Sequence, residues 1–214
     1  MTLNKLKLTP RFLVQLIILA VLLIGLPLGS WYYLSSGLNY RLKAMEELQQ
    51  FGELPDFGFA TFSDQVIAKN DIKGKIVVSN FIHLQDTVLS SHFGMNLLKL
   101  HKQFDERTDV IFLVHVMDTT SGKINREVNA FAEKYQLKDS LQCYFVSSDL
   151  NSLRYLAFEG YKMPPDTTMP YFAITDPDLV VRNHYDTKNP NEIKRLVEHI
   201  ALLLPRKKER KIGI

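Results

Sequence analysis

Gly74-Lys75-Ile76-Val77-Val78-Ser79-Asn80-Phe81-Ile82 sets the architecture of this chain. A glycine-lysine pair introduces it, and residues 76–82 are rich in β-branched side chains and carry no charge. This is a strong strand signal. The period then changes: Phe93, Leu97, Leu100 and Phe104 step by four, three and four, which predicts one apolar helix face over residues 90–107. Residues 110–116 form a second apolar run interrupted only by His115, as expected for a strand covered on both sides of a parallel sheet.

The alternation continues with a predicted helix over 124–135, a strand over 141–146 and a helix over 150–159. After Pro164-Pro165, predicted strands over 171–175 and 180–185 flank Asp176-Pro177-Asp178 as a hairpin. A last helix aligns Ile193, Leu196, Val197, Ile200 and Leu204, with Pro190 near its start, where a missing N–H costs nothing. Upstream, Phe57, Phe59 and Thr61 alternate with smaller residues and Val66-Ile67 follows Asp64-Gln65, which reads as a short edge strand pair. The pattern predicts an α/β protein, a mixed sheet flanked by helices.

Residues 12–34 are apolar apart from Gln15, Ser30 and the cluster Trp31-Tyr32-Tyr33. As a helix rising about 1.5 Å per residue, they cross a hydrocarbon core of roughly 30 Å. A cleaved leader has a shorter apolar core and a small-residue cleavage site, whereas these aromatic rings suit the headgroup level of a retained anchor. Lys5, Lys7 and Arg11 precede the span, and Arg41 and Lys43 follow it. That balance puts residues 1–11 in the cytoplasm and the folded part on the outer, periplasmic or equivalent, side. Residues 35–53, with Leu42, Met45 and Leu48 at helical spacing, read as a stalk, 54–204 as the domain and 205–214 as a solvated basic tail. The tail supplies much of the net charge of +3, and nothing else suggests nucleic-acid binding. The expected partners are a lipid bilayer, through residues 12–34, and another protein.

Cys143 is the only cysteine, so neither an internal disulfide nor a Cys-x-x-Cys pair exists in this chain. It sits in an apolar strand where burial is the default, and a thiol reductase or peroxidase built on it needs an exposed thiol of lowered pKa. His83, Asp86 and His92 carry ligand types that suit Cu(II) or Zn(II), but their spacing matches no established metal motif. His92 and His101 read as exposed helix residues and His115 as a hydrogen-bonded buried histidine. Met95, Met117, Met163 and Met169 read as core filler rather than soft Cu(I) ligands.

Several landmarks resemble the Sco/SenC family, membrane-tethered thioredoxin-fold copper proteins that help assemble cytochrome oxidase. They are Leu54-Pro55-Asp56-Phe57, the Gly74-Lys75 strand through Phe81, Val116-Met117-Asp118-Thr119, Phe131-Ala132-Glu133-Lys134-Tyr135, Leu156-Ala157-Phe158-Glu159-Gly160-Tyr161 and Phe172-Ala173-Ile174-Thr175-Asp176-Pro177-Asp178. Together with the anchor, they imply a thioredoxin-like fold.

The resemblance also implies a Cys-x-x-x-Cys pair at Asp86 and Ser90 and a histidine near Thr168, the copper ligands of the family; this sequence has none of the three. Serine and threonine hydroxyls do not replace the thiolates that select Cu(I). Asp86, Thr87 or Ser90 is expected instead to cap a helix N-terminus. The resemblance further places a cis-proline at Pro170, although composition alone favours a trans bond. The expectation is a non-catalytic, cofactor-free, protein-binding relative concerned with oxidase assembly or copper handling. A metallochaperone rebuilt around His83 and Asp86, and a single-thiol oxidoreductase using Cys143, are the alternatives.

Overall fold

The computed structural model describes residues 10–62, 65–117, 124–138, 141–165 and 169–205. Two compact units divide at Glu46/Glu47.

The first unit is a helix over Pro10–Glu46, with α1 (Pro10–Ala20) and α2 (Leu26–Glu46) joined by a π-helical turn at Val21–Gly25. Pro27 has no N–H to give the carbonyl four residues back, and its ring crowds that turn. The wider turn lies just before it, an accommodation expected where the regular ladder is broken. Leu23, Trp31, Tyr32 and Tyr33 are all exposed. The helix is long and apolar enough to cross a membrane.

The second unit contains one sheet. In chain order its elements are β1 (Gly52–Glu53), β2 (Gly58–Thr61), β3 (Val66–Ala68), α3 (Lys69–Ile72), β4 (Ile76–Ile82), α4 (Thr87–Phe104), β5 (Val110–Val116) and α5 (Ile124–Lys134). There follow β6 (Cys143–Ser147), α6 (Leu150–Tyr155) with a π-helical turn at Leu156–Gly160, β7 (Tyr171–Thr175), β8 (Val180–Asp186) and α7 (Pro190–Leu203). The strand order is β1-β8-β7-β4-β5-β6-β2-β3. β4, β5 and β6 run parallel, and every other pairing is antiparallel.

β4 and β5 lie in the middle, and every residue of both is buried, which explains why they read as continuous apolar runs. Ile76, Val78 and Ile82 face a core built with α4, α5 and α7. Val77 and Phe81 face a second core built with α3 and α6. Burying a side chain such as Phe93, from the first core, contributes about 2–3 kcal/mol. Gly94 is a packing requirement there, because a Cβ on it would lie 2.3 Å from Cε2 of Tyr135.

Three expectations need correction. The stalk does not extend to residue 53: the compact unit begins at Glu47, Gln49 and Phe51 donate backbone N–H groups to the carbonyls of Arg182 and Val181, and β1 pairs with β8. An edge strand carries unpaired backbone groups that attract a passing segment, and a two-residue strand has no period to betray it. His101 is buried rather than exposed, and Met95, at 47% exposure, is surface rather than core.

Candidate functional site

The family landmarks point to the carboxyl end of β4 and the start of α4. A turn after Ile82 leads to Asp86, the residue before the helix, whose Oδ1 accepts the Leu89 N–H at 2.9 Å. The Asp86 carbonyl accepts the Ser90 N–H at 2.9 Å. Asp86 is thus the N-cap, satisfying a donor that the helix cannot satisfy internally while placing negative charge at the positive end of the dipole. Ser90 is buried. Thr168 lies outside the described residues.

The candidate ligands are not brought together. Among the described residues, no group of three or more His, Cys, Asp or Glu side chains is arranged so that it could hold a metal ion. Asp86 is engaged by its helix, and His92 lies on the α4 face that borders α7. His83 is half-buried in the preceding turn. Met117, Met163 and Met169 are buried in the second core, as filler.

The peptide bond before Pro170 is trans, since the described residues contain no cis bond. The chain turns instead at Met169, whose φ of 43° is left-handed, an unusual conformation for a residue with a side chain. Thr187 fastens the loop by donating its backbone N–H and its hydroxyl to the Pro170 carbonyl, at 2.8 and 2.9 Å. Asn96 of α4 donates Nδ2–H to the Thr187 carbonyl at 2.9 Å. α4, the β8–α7 turn and the Pro170 loop are therefore one hydrogen-bonded assembly.

His115 lies beneath this end of the sheet. It is fully buried and stacks on Phe81 at 4.4 Å between ring centroids, with Phe59 and Tyr161 edge-on. Contrary to the expectation of a hydrogen-bonded histidine, neither ring nitrogen has a partner among the described residues. The strand's carbonyls and N–H groups are committed to the ladders on either side, and the neighbouring faces are aromatic. Burial holds the imidazole down to about 3, against an ordinary 6.5, so it is neutral. Tyr161, also fully buried, accepts the Ser79 hydroxyl at 2.7 Å, and burial pushes its phenol above the ordinary range. His184 donates Nε2–H to the Tyr161 carbonyl at 2.7 Å; burial lowers its pKa, with that hydrogen bond opposing the shift. Sequence reasoning used Tyr161 only as a landmark and missed this stack; an aromatic one strand position away from a lone histidine was the available signal.

Cys143 is buried. Strand register sets it level with Phe112 and hence with Val78, not with Ile82. At about 3.3 Å per residue, that displaces it roughly 13 Å along the strands from the carboxyl end of β4. It lacks the exposure of a reactive thiol.

A parallel β4-β5-β6 core extended by an antiparallel β7-β8 hairpin, with helices on both faces, defines a thioredoxin-like protein. More narrowly, the fold is Sco/SenC-like. The chain is similar to a SCO1/SenC family lipoprotein from Bacillus anthracis str. Ames, with TM-score 0.59 and 19% identity over 71% of this chain and 94% of that one. It is similar to BsSco, described as a member of the Sco family of cytochrome c oxidase assembly proteins, with TM-score 0.60 and 16% identity over 73% and 96%. The thioredoxin domain of a thiol-disulfide oxidoreductase from Bacteroides vulgatus gives TM-score 0.55 and 15% identity over 73% and 99%. No family model and no curated protein matches the sequence. At these identities, the likeness establishes the fold and leaves function to the site.

Proposed function

We propose that this protein is a membrane-anchored relative of the Sco/SenC proteins that has given up dithiol and copper chemistry and acts by binding another protein during assembly of a respiratory oxidase. The observation that carries the reading is Asp86. At the position where the resemblance puts the first cysteine, the side chain is spent on capping α4, so the helix end that would lower a thiol pKa serves stability instead. Residues 12–34 cross the bilayer once, with the amino terminus in the cytoplasm and the folded unit outside. The aromatic cluster at 31–33 supports the span, and the basic residues ahead of it support the orientation.

The test has two parts, both on the full chain. In detergent micelles, Cu(I), Cu(II) and Zn(II) are titrated separately into the protein and into His83→Ala and Cys143→Ala. In membranes, the chain is cross-linked and purified with its neighbours. The expected result is no stoichiometric metal and a component of oxidase assembly recovered with the chain. Tight one-to-one metal binding abolished by His83→Ala overturns the reading in favour of a rebuilt metal site. Recovery of no protein neighbour overturns it as a binding factor.

A further inference from the structure

The protein-binding reading leaves open which surface binds and what it binds. Between α4 and α7 runs a groove of about 620 Å³. Its lining includes the apolar Met95, Ile193 and Val197, the lysines Lys99, Lys188 and Lys194, and Glu198. Met95 is 47% exposed and offers apolar surface in the groove. The three lysines are exposed, and none of their ammonium groups makes an ion pair or side-chain hydrogen bond among the described residues.

Of the two acids of α7, Glu198 lines the groove and is paired with Arg195, whereas Glu192 does not line it. Glu192 accepts the Asp186 N–H and the Asn189 amide, and Glu198 accepts Arg195 Nη1 at 2.7 Å. The result is a lining of apolar side chains and of lysines that make no ion pair among the described residues, the complement of an amphipathic segment whose apolar stripe is flanked by carboxylates.

Charge also decides among occupants. The chain's own end, Arg206-Lys207-Lys208-Glu209-Arg210-Lys211, is cationic by sequence and would meet like charge there. A second copy meeting this face symmetrically would oppose the same three lysines to themselves. We propose that the groove seats an acidic amphipathic helix of a different protein, its apolar side chains on Met95, Ile193 and Val197 and its carboxylates on Lys99, Lys188 and Lys194. The site is tied to the Pro170 loop through Asn96 and Thr187, so a bound helix would touch the end of the fold that the resemblance marks as functional.

The proposal rests on the protein-binding reading and is tested separately from it. The full chain in neutral detergent micelles is titrated with a synthetic helical peptide carrying leucines at i, i+3, i+4 and i+7 and glutamates on both flanks, and with the same peptide carrying lysines in place of the glutamates. The expected result is saturable binding of the acidic peptide only, weakened at least tenfold by Lys99→Glu with Lys194→Glu and by Met95→Asp, and weakening as salt rises. No binding of the acidic peptide, equal binding of the lysine peptide, or binding unmoved by these substitutions overturns it. So does binding of phosphatidylglycerol vesicles that the same reversals abolish while the peptide stays unbound, which assigns the groove to a membrane surface. If the protein neighbour recovered from membranes persists in the charge-reversed variant, this proposal fails while the protein-binding reading stands. If no neighbour is recovered from the unmodified chain, that reading itself fails.

Discussion

Acidification tests the burial of His115 directly. The imidazole titrates near 6.5 when the chain is unfolded and near 3 when it is folded. Between those values the unfolded state binds more protons, so stability rises with pH; the contribution is complete above 6.5 and is lost as pH falls toward 3. At about 1.4 kcal/mol per pH unit, lowering the pH from 7 to 4 costs about 3 kcal/mol through this residue. That is a large part of a typical total stability of about 5–15 kcal/mol. Carboxylates with lowered pKa values, such as Asp149, lose stability in the same direction, so the measurement must be differential. His115→Phe keeps a ring on Phe81 and removes the titrating group and both unpartnered nitrogens. Denaturant unfolding of the full chain in micelles, followed by near-ultraviolet circular dichroism at pH 7, 6, 5 and 4, should give the variant a shallower loss, with its advantage growing by about 3 kcal/mol over the range. Parallel curves refute the reasoning. So does a His115 proton resonance that titrates near 6 in the folded chain, and this readout survives even if the phenylalanine packs badly.

Further outcomes follow from the same packing and hydrogen bonds. Gly94→Ala should destabilise by about 1–3 kcal/mol despite alanine's better helix propensity, measured by denaturant midpoint; Tyr135→Leu in the same chain should recover part of the loss, because the clash is with that ring. Asp86→Ala should cost about 1 kcal/mol, and Asp86→Asn a fraction of that, since the amide oxygen still accepts the Leu89 N–H. Arg195 holds Glu47 through two hydrogen bonds of 2.6 and 2.8 Å, so Arg195→Ala should lose about 1 kcal/mol, Glu47 being partly exposed. Hydrogen exchange should then quicken at Phe51 before it does at β4. Cys143 should react with a thiol reagent only as fast as the chain opens; rapid modification of the folded protein would revive the single-thiol oxidoreductase.

The central architecture is legible in the order of the residues alone. β4 and β5 begin and end where their apolar runs do, because a strand covered on both faces cannot hold a charge, and α4 and α7 follow from stripes at helical spacing. The sequence also showed that this chain carries no pair of cysteines, and it placed a cap at the start of α4. Tertiary structure decided what depends on neighbours distant in the chain. Residues 47–53 joined the folded unit because β8 offered an unpaired edge, and nothing local announces an edge. The His115 ring nitrogens have no hydrogen-bond partner among the described residues because Phe59, Phe81 and Tyr161 surround the ring from different elements. Pro170 proved trans, the turn passing to Met169. The α4–α7 groove and its lysines, which make no ion pair among the described residues, come together only once two helices far apart in sequence lie side by side, since periodicity reports which face of a helix is apolar and not which charges its neighbour leaves uncompensated.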